Sequence, residues 1–168
     1  MLARIRKATD ENDSGFTLIE LLVVMIIIGI LAAIAIPVFL SQRKKAADTA
    51  TKADVSTVGK ELATYYVDGS PTSTVYASIT GSAPASLNLG TAAAGTDVTT
   101  VKLSDGTVGI GASDAAVVTY LPATGTCAGL ANNARWYIGL KNTGGTTGKI
   151  FYYSAMSGLT TAVPTACS

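Results

Sequence analysis

Residues Ser14 to Leu31 read SGFTLIELLVVMIIIGIL, and the apolar run continues through AAIAIPVFL to Leu40. One acid, Glu20, stands inside it. From Leu21 to Leu40 no residue is charged, and at 1.5 Å per residue such a helix is about 30 Å long, the thickness of a bilayer's hydrocarbon core. The pattern predicts a transmembrane helix over residues 16–40. A cleaved secretory signal is the competing reading, because Ala33-Ile34-Ala35 has the small-x-small form of a cleavage site. Against it, the apolar run continues past that site through Ile36-Pro37-Val38-Phe39-Leu40, is long for a signal, and contains Glu20. An acid in a membrane segment is a functional candidate by default and calls for a cationic partner.

The flanks leave orientation open. Arg4, Arg6 and Lys7 precede the run together with Asp10, Glu11 and Asp13, while Arg43, Lys44 and Lys45 follow it, so the excess of positive charge does not choose a cytoplasmic side. The second trio reads as a stop-transfer and lipid-headgroup cluster rather than a nucleic-acid site.

Over all 168 residues, twelve Lys plus Arg against eleven Asp plus Glu leave a formal charge of +1, too little field to favour nucleic acid. Histidine is absent, which removes the usual general base and the commonest zinc ligand. No enzyme activity, metal or cofactor is expected. Cys127 and Cys167 are too far apart for a CxxC pattern and read as one disulfide of an exported domain.

Residues 41–68 continue as helix former. Ala47, Thr51, Val55, Val58, Leu62 and Tyr65 recur at helical steps and make a stripe suited to a sheet, while Lys44, Asp48, Lys52 and Lys60 or Glu61 read as a solvated face. Asp68-Gly69-Ser70-Pro71 ends the helix, and residues 70–96, made of Ser, Thr, Ala, Gly and Pro with two short apolar patches around Val75 to Ile79 and Leu87 to Leu89, read as a long loop. Strand signals follow at Val98 to Leu103, Thr107 to Ile110, Ala116 to Leu121, Arg135 to Leu140 and Lys149 to Ser154. Ser104-Asp105-Gly106 and Asn142-Thr143-Gly144-Gly145 read as hairpin turns within one antiparallel sheet of four or five strands. Trp136, Tyr137, Phe151, Tyr152 and Tyr153 are assigned to that sheet's core and surface rather than to a ligand platform. Asp97, Asp105 and Asp114 match no calcium loop.

Gly15 followed by Phe16-Thr17-Leu18-Ile19-Glu20 and a long apolar helix resembles the type IV prepilin signature of pilins and of the pseudopilins of type II secretion and DNA-uptake systems. The resemblance is close over roughly residues 1–45. It implies a cleaved leader over 1–15, with prepilin peptidase cutting between Gly15 and Phe16 on the cytoplasmic side, and N-methylation of Phe16. It implies that Phe16, Thr17 and Glu20 serve assembly, with Glu20 pairing with the Phe16 amine of a neighbouring subunit, and that the helix loses structure between Gly29 and Pro37 in a filament. The implied architecture is α+β, with a transmembrane and filament-core helix over 16–40, an amphipathic continuation over 41–68 and an antiparallel β head over 69–168 carrying the disulfide loop. The implied partners are other copies of the chain, prepilin peptidase, membrane lipid and, indirectly, an assembly platform protein and motor ATPase. The precursor would sit in the cytoplasmic membrane and the assembled subunit in a surface filament. A pseudopilin of a secretion or DNA-uptake system, and a single-pass membrane-anchored β binding module, are the alternatives.

Overall fold

A computed structural model describes residues 16–81, 84–91, 97–111 and 118–167, without the side chains of residues 97 and 98. The chain forms two compact units, Met1–Ser41 and Gln42–Ser168. Helix α1 spans Leu18–Asp68. It runs through Gly29 and contains Pro37, whose missing N–H and ring are the local cost of continuing the helix there.

In the second unit α1 turns one stripe inward, with Thr51, Val55, Val58, Gly59, Leu62 and Tyr66 all buried. Four residues of the predicted stripe, Thr51, Val55, Val58 and Leu62, are in the core. At its end Tyr66 rather than Tyr65 is buried, lying one helical turn beyond Leu62. The structure corrects the reading of Asp48 as solvated. Asp48 and Asp54 are both buried, and each accepts hydrogen bonds from a distant loop, described below.

The described strands form two antiparallel sheets rather than one. Strands β1 (Tyr76–Thr80), β2 (Ser86–Gly90) and β3 (Asp97–Lys102) make a three-stranded sheet in that order. Residues 70–96 are therefore not simply a loop. Tyr76 pairs with Gly90 and Thr80 with Ser86, and Leu87 and Leu89 alternate inward from β2 to lie fully buried.

The second sheet is built around β6 (Trp136–Asn142), which pairs with β7 (Ile150–Ser154), itself paired with β8 (Gly158–Thr160). Strands β4 (Thr107–Gly109) and β5 (Val118–Tyr120) both pair with β6. Because β4 faces residues 140–142 and β5 faces 136–138, they lie end to end along one edge. Ser104-Asp105-Gly106 is thus a passage between sheets and not a hairpin, since β3 pairs with β2 and β4 with β6. Asn142 to Gly145 does join two paired strands, β6 and β7.

The core lies where α1 meets both sheets. Val55, Val58 and Leu62 pack with Leu87, Leu89 and Val101 from the first sheet and with Trp136, Ile138, Leu140 and Phe151 from the second. Trp136 stacks on Tyr153 at 6.1 Å between ring centres. Gly59 permits the close approach, because a Cβ there would run into the Tyr153 ring and lie 2.9 Å from the Tyr153 Cβ. These aromatics are structural, filling the space between helix and sheet.

Candidate functional site

The N-terminal part of α1 is apolar on every side. Phe16, Leu18, Ile19 and the Leu, Val, Ile and Met side chains from Leu21 to Leu40 are exposed, Phe16 at 93%. By length and composition α1 contains a segment able to cross a membrane, and none of that segment is buried within the chain. An apolar surface of this extent demands lipid or protein around it.

At the start of the helix Thr17 and Glu20 bond reciprocally. The Thr17 backbone N–H donates to Glu20 Oε2 at 2.9 Å, the Thr17 hydroxyl donates to the same oxygen at 2.8 Å, and the Glu20 N–H donates to Thr17 Oγ1 at 3.3 Å. This is a capping box, in which an N-cap Thr and an acid three residues on satisfy each other's free amides. A threonine followed three residues later by a glutamate before an apolar run is the sequence signal for it, and reading Glu20 only as an intermolecular group overlooks it. Both donations end on Oε2, so among the described residues Oε1 keeps its lone pairs. Phe16 lies beside this box, and Phe16, Ile19, Glu20, Val23 and Val24 line one shallow groove.

Gly15 and the rest of residues 1–15 lie outside the described residues, as does Asp114. Of the other residues singled out by sequence, Gly29 and Pro37 stand in the helical part of the first unit, while Cys127 and Cys167 are joined in the second. The disulfide ties the 3-10 turn Gly125–Cys127, between β5 and β6, to the tail after β8. Leu121 packs against it, and the Cys167 N–H donates to Thr126 Oγ1 at 3.2 Å.

Several polar ties hold α1 to the head among the described residues, one of them the 3.1 Å hydrogen bond shared by the Thr51 and Thr107 hydroxyls. Asp48 accepts from the Thr146 backbone N–H at 2.9 Å and the Thr146 hydroxyl at 2.7 Å, and its other neighbour is Lys149 Nζ at 3.2 Å. Burial opposes ionisation of Asp48, but the two Thr146 hydrogen bonds and the Lys149 charge outweigh it and hold the carboxyl below its ordinary value. Asp54 accepts from Ser104 N–H at 2.8 Å and Ser104 Oγ at 2.9 Å. Tyr66 shares a 2.7 Å hydrogen bond with Tyr120 and donates to Ser73 O at 2.9 Å. Burial first, and then its bond to Tyr120, push the Tyr66 phenol far above its usual range. Among the described residues no group of His, Cys, Asp or Glu is placed to hold a metal ion.

A family model described as the prokaryotic N-terminal methylation motif matches residues 11–36. The chain is 48% identical over 58 residues to the type IV wide pilus major component of Thermus thermophilus, covering 34% of this chain and 44% of that protein. It is 44% identical over 58 residues to the type II secretion system core protein G of Pseudomonas aeruginosa, covering 34% of this chain and 41% of that protein. To the core protein G of Escherichia coli it is 36% identical over 62 residues, 37% of this chain and 42% of that protein. The matches thus span less than half the length of these relatives. No solved structure matches the chain at comparable significance.

Proposed function

We propose, on the premise that the chain belongs by its methylation motif and its relatives to the type IV pilin and pseudopilin family, that it is the precursor of a type IV pilus subunit. The observation that carries this reading is the apolar helix left bare by its own chain and headed by the Thr17–Glu20 box. In this reading the helix is held by lipid in the precursor and by other copies in the filament. The Glu20 Oε1 is the acceptor for a neighbour's Phe16 amine, and Oε2 stays committed to the cap. The head contributes outer surface, and no step requires catalysis by this chain.

Processing between Gly15 and Phe16, followed by methylation of Phe16, is the defining test. Mass analysis of filaments sheared from cells should give an N-terminus at Phe16 carrying one added methyl. Gly15→Val should leave the precursor uncut, because a pocket shaped for glycine excludes a branched side chain. An intact Met1 terminus on assembled protein would refute the reading.

The second reading is a pseudopilin, favoured by the likeness to two secretion core proteins G. Deletion separates the two. Loss of long surface filaments with normal protein export supports the pilus, and loss of export without loss of filaments supports the pseudopilus.

A further inference from the structure

The flanks of the seam between α1 and the head carry opposite charge. On one side a groove of about 660 Å³ is rimmed by Lys45, Lys52 and Lys149 over an apolar floor that includes Phe151 and Leu159. Asp48 is its one carboxylate and is already matched to Lys149 and Thr146, so Lys45 and Lys52 remain as exposed positive charges. On the other side a groove of about 310 Å³ is lined by Glu61 and Asp68 with Thr64, Tyr65 and Thr99, and has no cation in its lining.

Helical geometry fixes how these surfaces relate within the second unit. At 100° per residue, Lys45 and Lys52 point to nearly the same side of α1, and Glu61 and Asp68 point roughly 160° away, with the buried stripe between them. The midpoints of the two pairs lie sixteen residues apart, about 24 Å along the helix. A two-fold contact either sets a groove against its own image, which places like charges together, or sets both grooves at once against one partner, which their opposite directions around α1 bar. Basic groove against acidic groove is a heterologous contact instead, and each docked copy leaves one groove free for the next.

The geometry points to a second copy of this chain as the occupant of the lysine groove, its Glu61 and Asp68 facing Lys45 and Lys52 of the first. Parallel copies at equal height cannot make this contact. A copy shifted by about 24 Å along the helix can, so the pairing is specific to a staggered array. The inference rests on the filament reading and assigns it a lateral head contact distinct from the apolar helix.

The test uses the full chain in cells. Thr49 and Thr64 line the basic and acidic grooves respectively, and the native cysteines are already bonded. Filaments of a Thr49→Cys/Thr64→Cys variant should give a ladder of cross-linked multimers on oxidation, whereas either single cysteine should give monomer. Lys52→Glu should lower the ladder about tenfold, by removing attraction and adding repulsion. Lys52→Glu with Glu61→Lys should restore it. Dimers from a single cysteine would overturn the inference by showing a two-fold contact. So would filaments of the double-cysteine variant that give no ladder. If that variant makes no filaments, filament yield of Lys52→Glu against the charge swap is the readout, and failure of the swap to restore yield overturns the pairing. Binding of the chain's lysine groove to vesicles of anionic lipid that is lost in Lys52→Glu and equally lost in the swap would assign the groove to lipid instead. Absence of filaments from the wild-type chain would refute the filament reading itself.

Discussion

Asp48→Ala tests whether the acids of α1 are structural. The substitution removes two hydrogen bonds from Thr146 to a carboxylate, at 2.9 and 2.7 Å, and the ion pair to Lys149 at 3.2 Å. A hydrogen bond to a charged group contributes about 1.5–3 kcal/mol when buried, but Thr146 is exposed and Lys149 is 44% exposed, so the pair with Lys149 adds less than about 1 kcal/mol. The expected loss is about 2 kcal/mol, roughly a 1 M fall in the urea midpoint of a soluble fragment covering Gln42–Ser168. The pH dependence gives a second readout. The folded carboxyl is held below its ordinary value, so its contribution is fully present above the unfolded value of about 3.9 and is lost as pH falls through the folded one. The gap between wild type and Asp48→Asn should therefore be constant from neutral pH to about pH 5 and close below about pH 4. Equal urea midpoints at neutral pH, or a gap unchanged into acid, would refute the assignment.

At the N-terminus, Glu20→Gln keeps a side-chain acceptor for the Thr17 cap and loses the charge, while Glu20→Ala loses both. Both should insert and be processed yet assemble few filaments, and normal filament numbers from Glu20→Gln would assign Glu20 to capping alone. Cys127→Ser/Cys167→Ser opens a cross-link spanning 40 positions and should destabilise the head by about 4 kcal/mol in the chain-entropy model, read by urea melting. Gly59→Leu should unfold the head or lower its melting temperature sharply, because its side chain would displace the Tyr153 ring from Trp136. A melt like that of wild type would show that the helix stands off the sheet.

The apolar run was fully legible in the sequence, since twenty uncharged residues specify a membrane-length helix whatever surrounds them. The continuation of α1, the strands β3 to β7 and the pairing of Cys127 with Cys167 were legible for similar reasons, each resting on local periodicity or on having one possible partner. The Thr17–Glu20 box was also written locally, though an acid in an apolar run draws attention to partners elsewhere first. Other features depend on distant groups. Asp48 and Asp54 are buried because Thr146 and Ser104, 98 and 50 residues away, bring hydrogen-bond donors to them. Gly145 belongs to the same arrangement, since a Cβ there would run into the Asp48 carboxylate. Strands β1 and β2 lie in a stretch whose Ser, Thr, Ala and Gly content reads as loop, with only short apolar patches, and their pairing with each other and with β3 and the burial of Leu87 and Leu89 in the core come from tertiary structure. The turn at Ser104-Asp105-Gly106 has hairpin chemistry, but its flanking strands pair in different sheets, β3 with β2 and β4 with β6. Local sequence determined the elements that need no partner; tertiary structure decided which polar groups could be buried and which strands could pair, because both depend on hydrogen bonds and apolar contacts supplied from elsewhere in the chain.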